Sequence, residues 1–558
     1  MSSTVPVSDS VVASGFPPCV VHEDESLLVV HKPAGWNTHA PSPYAGEGIY
    51  EWLRHREPRW ATLSILHRLD KETSGLLVFG KTPAANRSLT AQFTDREIGK
   101  HYLLVTDRPV ERDAATVTLA IRRDGARYLG VPPASGGDPA ETQFRVLRRE
   151  AGRTWIEATP KTGRTHQIRV HAASLGWPIL GDELYGGSRA DRVHLHARQL
   201  TFDHPETGQS VTFEAPAGFE SDAGASRLEL RRACVNPIET DAFRRVHGAA
   251  DGEPEVFVDQ LGEWLLIQSE EESIAREWWS RARLQVQHPL SASPGHAMPA
   301  IRGVYFKRLN RHVRATTVTQ ASPTRLDGEE APAVFHIREN GLRYELSFAE
   351  GYSVGIFLDQ RDNRRRVLRN HVAAEFPLAA AGTAGRELLN CFAYTCGFSV
   401  AAAAGGFRTT SLDLSRKYLD WGRRNFEANG LPLEGHDFIY GDVFDWLRRL
   451  AKKGRRYDVV ILDPPTFSRS KEHGDFRAES DYGSLVSAAL KVLNPGGVLL
   501  ASTNALRLEP ERFLAEVSEA VAGAGRRIQK QHYIPQGVDF PISREEPAYL
   551  KTAWFKIS

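Results

Sequence analysis

Two stretches of this chain gather residues that could do chemistry. Residues 67–75, "HRLDKETSG", interrupt an apolar pattern, with "TLSIL" before them and "LLVFG" after. A strand that breaks to show one aspartate and then resumes is a place to expose a carboxylate, which makes Asp70 a candidate nucleophile or charge stabiliser. The residue types alone equally accommodate a turn in which Asp70 and Arg68 form a surface ion pair. The second stretch is a series. Asn390, Asp413, Asp442 and Asp463 each close a short apolar run. At the carboxyl ends of successive parallel strands such residues face a ligand: an acid after the second strand suits ribose hydroxyls, and one after the third an adenine amino group. The loop after the first run, "CFAYTCG", lacks a GxGxxG pattern, and only Gly397 lets the backbone approach closely.

The elements that must hold these residues differ between the two halves. Residues 17–215 mix short alternating runs with Gly/Pro turns ("SLLVVHKPAG", "GLLVFGKT", "KHYLLVTD"), which predicts an α+β domain with a mostly antiparallel sheet. A seam rich in Gly, Ala, Ser and acid, "PAGFESDAGASRL", follows at 216–228. Residues 229–350 are again strand-rich. From about residue 385 strands and helices alternate. "SRKYLDWGRRNFEANG" is a helix with Ser415 as its N-cap, and Pro510 opens another. That alternation predicts a doubly wound, Rossmann-like α/β sheet. The expected organisation is multidomain: a tail at 1–16, an α+β domain at 17–222, a small strand-rich domain at 229–350 and the α/β domain at 351–558.

A chain of 558 residues is too long for one core. Its 41% hydrophobic and 25% charged content is that of a soluble globular protein. With a net charge of +1 there is no global basic field, so a nucleic-acid partner must be held by local clusters such as "RDNRRRVLRNH" (361–371) and "KKGRR" (452–456). The four cysteines, Cys19, Cys234, Cys391 and Cys396, lack the spacing of a disulfide scaffold or a zinc site. There is no signal-peptide pattern and no membrane-spanning apolar run. The expectation is a reduced, cytoplasmic protein without a metal.

Four blocks in the first half, "HEDESLLVVHKPAGWNTHA", "HRLDKETSGLLVFGKT", "KHYLLV" and "KTGRTHQIRVHAASLGWPILGDELYGG", closely resemble the RluA-type pseudouridine synthases over residues 17–215. These enzymes convert uridine in RNA to its C-glycoside isomer without a cofactor. The resemblance implies that Asp70 is the catalytic aspartate and that Tyr102 is the active-site tyrosine. It makes Arg169 the basic partner that keeps Asp70 ionised. Arg68 is implied as a wedge replacing the flipped base, and Arg164 and His166 as phosphate contacts or braces. His166 and His171 could equally be packed or surface histidines.

The second half, with "GYSVGIFLDQRDNRR", "LLNCFAYTCGFSVAAAAGG", "LDLSRKYLDWGRRNFEANGL" and "LDPPTFSRSK", resembles the class I S-adenosylmethionine-dependent rRNA methyltransferases related to RlmI and RlmK over residues 229–558. It implies S-adenosylmethionine as cofactor, bordered by Asp359, Arg361, Asn390, Gly397, Asp413, Asp442 and Asp463. Arg361 could hold the methionine carboxylate or belong to a solvated basic face. RNA is the implied partner, 23S rRNA or the assembling large ribosomal subunit.

Carbon 5 of cytosine is a poor nucleophile, and enzymes that methylate it first add a thiolate to carbon 6. Where the cytosine-specific branch carries its cysteine, this chain has Ser502, Thr503 and Asn504. Cys391 and Cys396 read as small packed residues of the cofactor loop. Nitrogen 7 of guanine carries an in-plane lone pair and needs only positioning, for which Pro464, Pro465, Phe467 and Asn504 are suited. The expectation is methylation of guanine N7. The alternatives are 5-methylcytosine, an exocyclic amine, or a nonenzymatic RNA-binding assembly factor; the intact carboxylates argue against the last.

Overall fold

The computed structural model describes residues 3–5, 16–220, 228–286, 298–309, 321–351, 353–380, 385–470 and 474–558. The rest of the expected 1–16 tail and most of the 216–228 seam lie outside them. The chain divides into two compact units, one of residues 1–39, 48–50 and 62–236, the other of residues 40–47, 51–61 and 237–558. No helix among the described residues is long and apolar enough to cross a membrane.

The first unit is built on one large sheet. Its main path runs Val20–Glu23, Leu27–Lys32, Ser74–Gly80, Leu195–Asp203, Gly99–Thr106, Arg153–Pro160, Asp138–Glu150, Ala114–Asp124 and Arg127–Val131. Every join on that path is antiparallel except that of Ser74–Gly80 with Leu195–Asp203. Ser3–Val5 adds a parallel pairing with Val211–Phe213. Ser74–Gly80 is buried at every position, which is why "SGLLVFG" reads as a continuous apolar run rather than an alternation. Gly75 has φ +123°, and a Cβ there would fall 2.3 Å from the Ala197 carbonyl oxygen, so only glycine lets the two strands meet. The helix Gln167–Ser174 packs Ile168 and Ala172 with Leu104, Phe144, Ile156 and Ala158.

The second unit holds a doubly wound sheet in the order Asp437–Tyr440, Arg408–Asp413, Glu387–Cys391, Tyr457–Leu462, Leu493–Thr503, Lys551–Ile557, Ile528–Ile534. The first five strands are parallel, and the last two join antiparallel. The order reverses between Glu387–Cys391 and Tyr457–Leu462, and such a switch point opens a ligand crevice at the strand carboxyl ends. Two helices fall where the sequence predicts, while Glu272–Val286 lies within the segment read as strand-rich. Ser415 caps Arg416–Ala428 by accepting the Tyr418 N–H, and Pro510 opens Pro510–Gly523. A five-stranded sheet precedes this fold (Ala242–His247, Phe257–Leu261, Trp264–Ser269, Gly303–Arg308, Thr324–Gly328). The hairpin Phe335–Glu339/Leu342–Leu346 then shares a core with Leu419 and Phe426.

The basic cluster at 361–371 corrects one expectation. It forms the helix Arg361–Arg369, whose arginines Arg361, Arg364, Arg365 and Arg366 are buried and paired. Arg361 takes Asp539, Arg364 takes Glu339, Arg365 takes Glu57 and Glu239, and Arg366 takes Glu47. A guanidinium enters a protein interior only when its charge and its planar donors are matched. These residues are internal braces rather than an RNA-facing surface. The "KKGRR" cluster does lie at the surface, with Lys452, Lys453 and Arg456 exposed.

Candidate active sites

In the first unit, the loop carrying Asp70 is pinned from three directions. The Thr38 hydroxyl donates to the Leu69 carbonyl (2.8 Å) and accepts the Leu69 N–H (3.1 Å). The Gly35 N–H donates to the Lys71 carbonyl at 2.8 Å. The Lys32 ammonium, fully buried, donates to the carbonyls of Pro33 (2.9 Å), Trp36 (2.7 Å) and Lys71 (3.2 Å). Burial, with Arg192 nearby, lowers the Lys32 pKa to about 7. Sequence reasoning missed Lys32 and Thr38; "HKPAG" and "THA" signal a turn but not what the turn grips.

Asp70 stands partly exposed, its side chain 24% accessible, with Arg169 Nη1 at 3.7 Å and His166 Nε2 at 3.9 Å. Burial raises its pKa, opposed by His166 and Arg169. Arg169 lies near Asp70 but gives its best geometry to Asp182, at 2.7 and 2.8 Å from Nε and Nη2. Its Nη1 also reaches Glu72 at 3.5 Å. Asp182, from the "GDELYGG" block, was not singled out, although an acid beside a positive-φ glycine in a turn is a usable signal. Tyr102 sits on the central strand opposite Ala158 and Ala197, and burial together with the charge of Asp70 keeps its phenol protonated. Arg68 and Arg164 are exposed, and Arg164 Nε donates to the Pro139 carbonyl at 3.3 Å. His171 is a core histidine bonded to Thr142 (2.9 Å) and to the Leu119 carbonyl (3.3 Å).

Lys32 yields a first expected result. Replacing it with methionine removes a costly buried ammonium but also takes a donor from the carbonyls of Pro33, Trp36 and Lys71, so the unfolding midpoint falls by a few degrees. The Lys71 carbonyl keeps only the Gly35 N–H, and the rate of the chemistry expected at Asp70 falls about tenfold or more, the usual penalty for loosening a positioned group. Single-turnover rates alongside a thermal melt test this. An unchanged rate removes Lys32 from the account.

In the second unit, Asn390 and the residues after Cys391 and Leu462 share one edge, because Asn390 pairs with Ile461 and Cys391 with Leu462. The Asp413 oxygens accept the N–H groups of Tyr394 and Ser415, each at 2.8 Å. Phe392, Tyr394 and Cys396, at φ 59°, 49° and 62°, curl the loop leading to Gly397, which opens the helix Gly397–Ala404. Three non-glycine residues in the left-handed region within five positions mark a loop shaped for more than connection. Asp442 caps Val443–Lys452 by accepting the Asp445 N–H at 3.0 Å. The Asn390 amide donates to Ser399 at 3.0 Å. Burial raises the Asp463 carboxyl to about 6 against the hydrogen bonds from Ser502 and Gln360, with Asp359 reinforcing the rise. Asp359 accepts from the Tyr549 hydroxyl at 2.9 Å. Arg361 gives both Nη atoms to Asp539 (2.8 and 2.7 Å), which leaves it bracing the helix rather than offering its fork to a carboxylate of a ligand.

Beyond Asp463, Pro464 is buried and Pro465 exposed. Phe467 opens the hairpin Phe467–Ser470/Gly474–Arg477. Arg477 lies over the Phe467 ring. Asn504 is exposed and accepts from the Thr466 hydroxyl at 2.8 Å. Cys391 and Cys396 are wholly buried; burial pushes the Cys391 thiol far up and Cys396 to about 12. Glu47, His55 and His532 bring ligand-type atoms within 4.8 Å of one another. The Glu47 oxygen involved already meets His55 Nδ1 (2.5 Å) and Arg366 (3.2 Å), and a guanidinium beside it opposes a cation.

A braced aspartate loop with Arg169 and His166 beside its carboxylate, and a doubly wound sheet tipped with carboxylates, accompany two enzyme classes on one chain. The model of the RNA pseudouridylate synthase family matches residues 26–174, and that of the S-adenosylmethionine-dependent methyltransferases matches residues 285–541. Ribosomal RNA large subunit methyltransferase I of Klebsiella pneumoniae is 30% identical over 402 residues, 71% of this chain and 90% of that protein. Its Salmonella newport counterpart is 33% identical over 407 residues, 71% and 89%. The structure of human RNA pseudouridylate synthase domain containing 1 is 27% identical, covering 37% of this chain and 86% of that one with a TM-score of 0.32. The chain belongs to the ribosomal RNA large subunit methyltransferase I family, and it carries both a pseudouridine synthase and an S-adenosylmethionine-dependent methyltransferase.

Proposed function

We propose that the chain modifies large-subunit ribosomal RNA in the cytoplasm twice, isomerising a uridine through Asp70 and methylating a guanine at N7. The observation that carries the second assignment is the end of the strand Leu493–Thr503. Thr503 is buried there, and Ser502 is tied to Gln360 (2.8 Å) and Thr552 (3.3 Å). The first group presented to a base is the Asn504 amide. The thiols of this unit lie in its core, Cys391 among Leu389, Leu412 and Leu462. A base that is already nucleophilic suits such an edge. Pro464 and Pro465 wall the base, Phe467 stacks on it and Asn504 bonds to its edge. Asp413 and Asp442 bind the ribose and adenine of S-adenosylmethionine, with Asp359, Asn390 and Gly397 lining the same crevice. When bound, that cofactor supplies the electrophilic methyl group.

In the first unit Asp70 attacks or stabilises the cleaved sugar while the uracil turns. Tyr102 stacks on the flipped base, Arg68 fills the gap it leaves, and Arg164 meets phosphate. The two sites act on one RNA, each unit raising the other's effective concentration.

Mass-spectrometric nucleoside mapping of large-subunit RNA incubated with the protein and cofactor tests both assignments. Pseudouridine and 7-methylguanosine are expected. The appearance of 5-methylcytidine or an N-methylated exocyclic amine replaces the guanine assignment. A variant with all four cysteines changed to alanine is expected to methylate within about threefold of the parent, since none acts as nucleophile. Loss of methylation with cofactor binding intact restores a thiol mechanism.

A further inference from the structure

Tyr185 and His166 form a hydrogen-bonded pair behind the aspartate, and their geometry fixes which imidazole nitrogen carries the proton. The Tyr185 hydroxyl accepts the backbone N–H of Tyr128 at 3.0 Å. It also lies 2.7 Å from His166 Nδ1. The hydroxyl accepts from Tyr128, and among the described residues Nδ1 is the acceptor within reach of its own proton, which assigns that proton to Nδ1. Nδ1 is then an acceptor, and the ring proton sits on Nε2, the atom that faces Asp70 Oδ2 at 3.9 Å.

The surrounding contacts hold this arrangement. Tyr185 meets the His166 ring edge-on (5.6 Å between centroids), Tyr128 does the same from another side (5.2 Å), and Arg169 lies over the Tyr185 ring at 5.1 Å. His166 is itself in the left-handed region, φ 56°, at the start of the helix Gln167–Ser174. The charged groups facing the pair are Asp70, Arg169, Glu72 and Asp182; Lys32 and Tyr102 face Asp70. Arg169 is clamped by Asp182 and cannot swing fully to Asp70 without breaking two bonds of 2.7 and 2.8 Å. His166 carries no competing bond on Nε2 among the described residues.

We propose that His166 and Tyr185 are positioning residues for the pseudouridine reaction, with Tyr185 fixing the His166 tautomer so that Nε2–H is delivered to Asp70 and keeps its carboxylate ionised and aimed. This rests on Asp70 being the reacting carboxylate. The pair acts through Asp70 and need not touch the uridine.

The test is the pH dependence of single-turnover pseudouridine formation by the full chain, comparing the parent with His166→Ala, His166→Gln, Tyr185→Phe and Asp70→Asn. His166→Ala is expected to lower the saturating single-turnover rate constant by about 10- to 100-fold, with the half-saturating concentration within about threefold. Its deficit grows as pH falls, because Asp70 without the favourable field of the Nε2–H side of His166 protonates at higher pH. His166→Gln, which can still offer an N–H, recovers most of the rate. Tyr185→Phe keeps the ring and its packing but frees the tautomer. Its deficit, about fivefold at pH 8, shrinks as pH falls, since protonating the imidazole restores the Nε2 proton. These opposite slopes are not the signature of general loosening. Parallel pH profiles for all the His166 and Tyr185 variants, or Gln no better than Ala, overturn the proposal. If His166→Ala fails to fold, the Tyr185→Phe slope decides alone. Activity retained by Asp70→Asn sinks the aspartate assignment itself, whereas silent His166 and Tyr185 variants beside a dead Asp70→Asn sink only the positioning pair.

Discussion

Asp70→Asn should abolish pseudouridine formation, by about ten-thousand-fold or more, while methyl transfer by the same molecules stays within about twofold. The amide keeps the volume and hydrogen-bonding shape of the carboxylate but neither its charge nor its nucleophilicity. No cofactor serves this half, so nothing else in the unit can supply what the carboxylate does to the sugar or base. The loop around it is held through its own backbone by the Thr38 hydroxyl, the Gly35 N–H and the Lys32 ammonium, none of which involves the Asp70 side chain. The substitution therefore leaves the frame intact. RNA affinity should change little, which separates a chemical defect from a folding one. The two activities are read from one reaction as pseudouridine and methylated nucleoside. Residual pseudouridine above about one part in a hundred, or loss of both products, sinks the two-site account.

What could be read from the sequence follows from how local each signal is. The polar strand ends were legible because short strands finish at or within two residues of Asn390, Asp413, Asp442 and Asp463, and the sheet sets those ends on one edge. Ser415 and Pro510 were legible because a cap acts within one turn. Lys32 was not legible, because its partner carbonyl is 39 residues away. The buried arginine helix was misread for the same reason. "RDNRRRVLR" looks the same whether water or carboxylates surround it, and the carboxylates come from Glu47, Glu57, Glu239, Glu339 and Asp539. Charge runs report composition, and only tertiary partners decide between a solvated face and an ion-paired interior. His166 stood between these cases. The "RTHQIR" block marks it as a phosphate contact, a brace or a packed histidine, and its place beside Asp70 and its orientation depend on Tyr128 and Tyr185, from separate parts of the unit.

Asp463→Ala should remove methyl transfer, by about a thousandfold or more, and leave pseudouridine formation unchanged, the converse of Asp70→Asn. The stronger test is pH. The Asp463 carboxyl is raised to about 6 from an ordinary 3.8, by burial first and by Asp359 as well. If the ionised form holds the cofactor and base in line, methyl transfer in the parent declines as pH falls through about 6, and the small residual rate of Asp463→Asn is flat over that range. Stability runs the opposite way. The folded state binds the proton more tightly than the unfolded chain, so this group's contribution worsens as pH rises from about 4 to about 6 and stays at its worst above that. Asp463→Asn should therefore raise the unfolding midpoint at pH 7.5, and that gain should vanish near pH 4. A residue whose removal stabilises the fold and ends the chemistry is retained for the chemistry. If Asp463→Asn lowers the midpoint at both pH values, the carboxylate is a structural brace on Ser502 and Gln360, and the methyl-transfer role passes to the Asn504 edge alone.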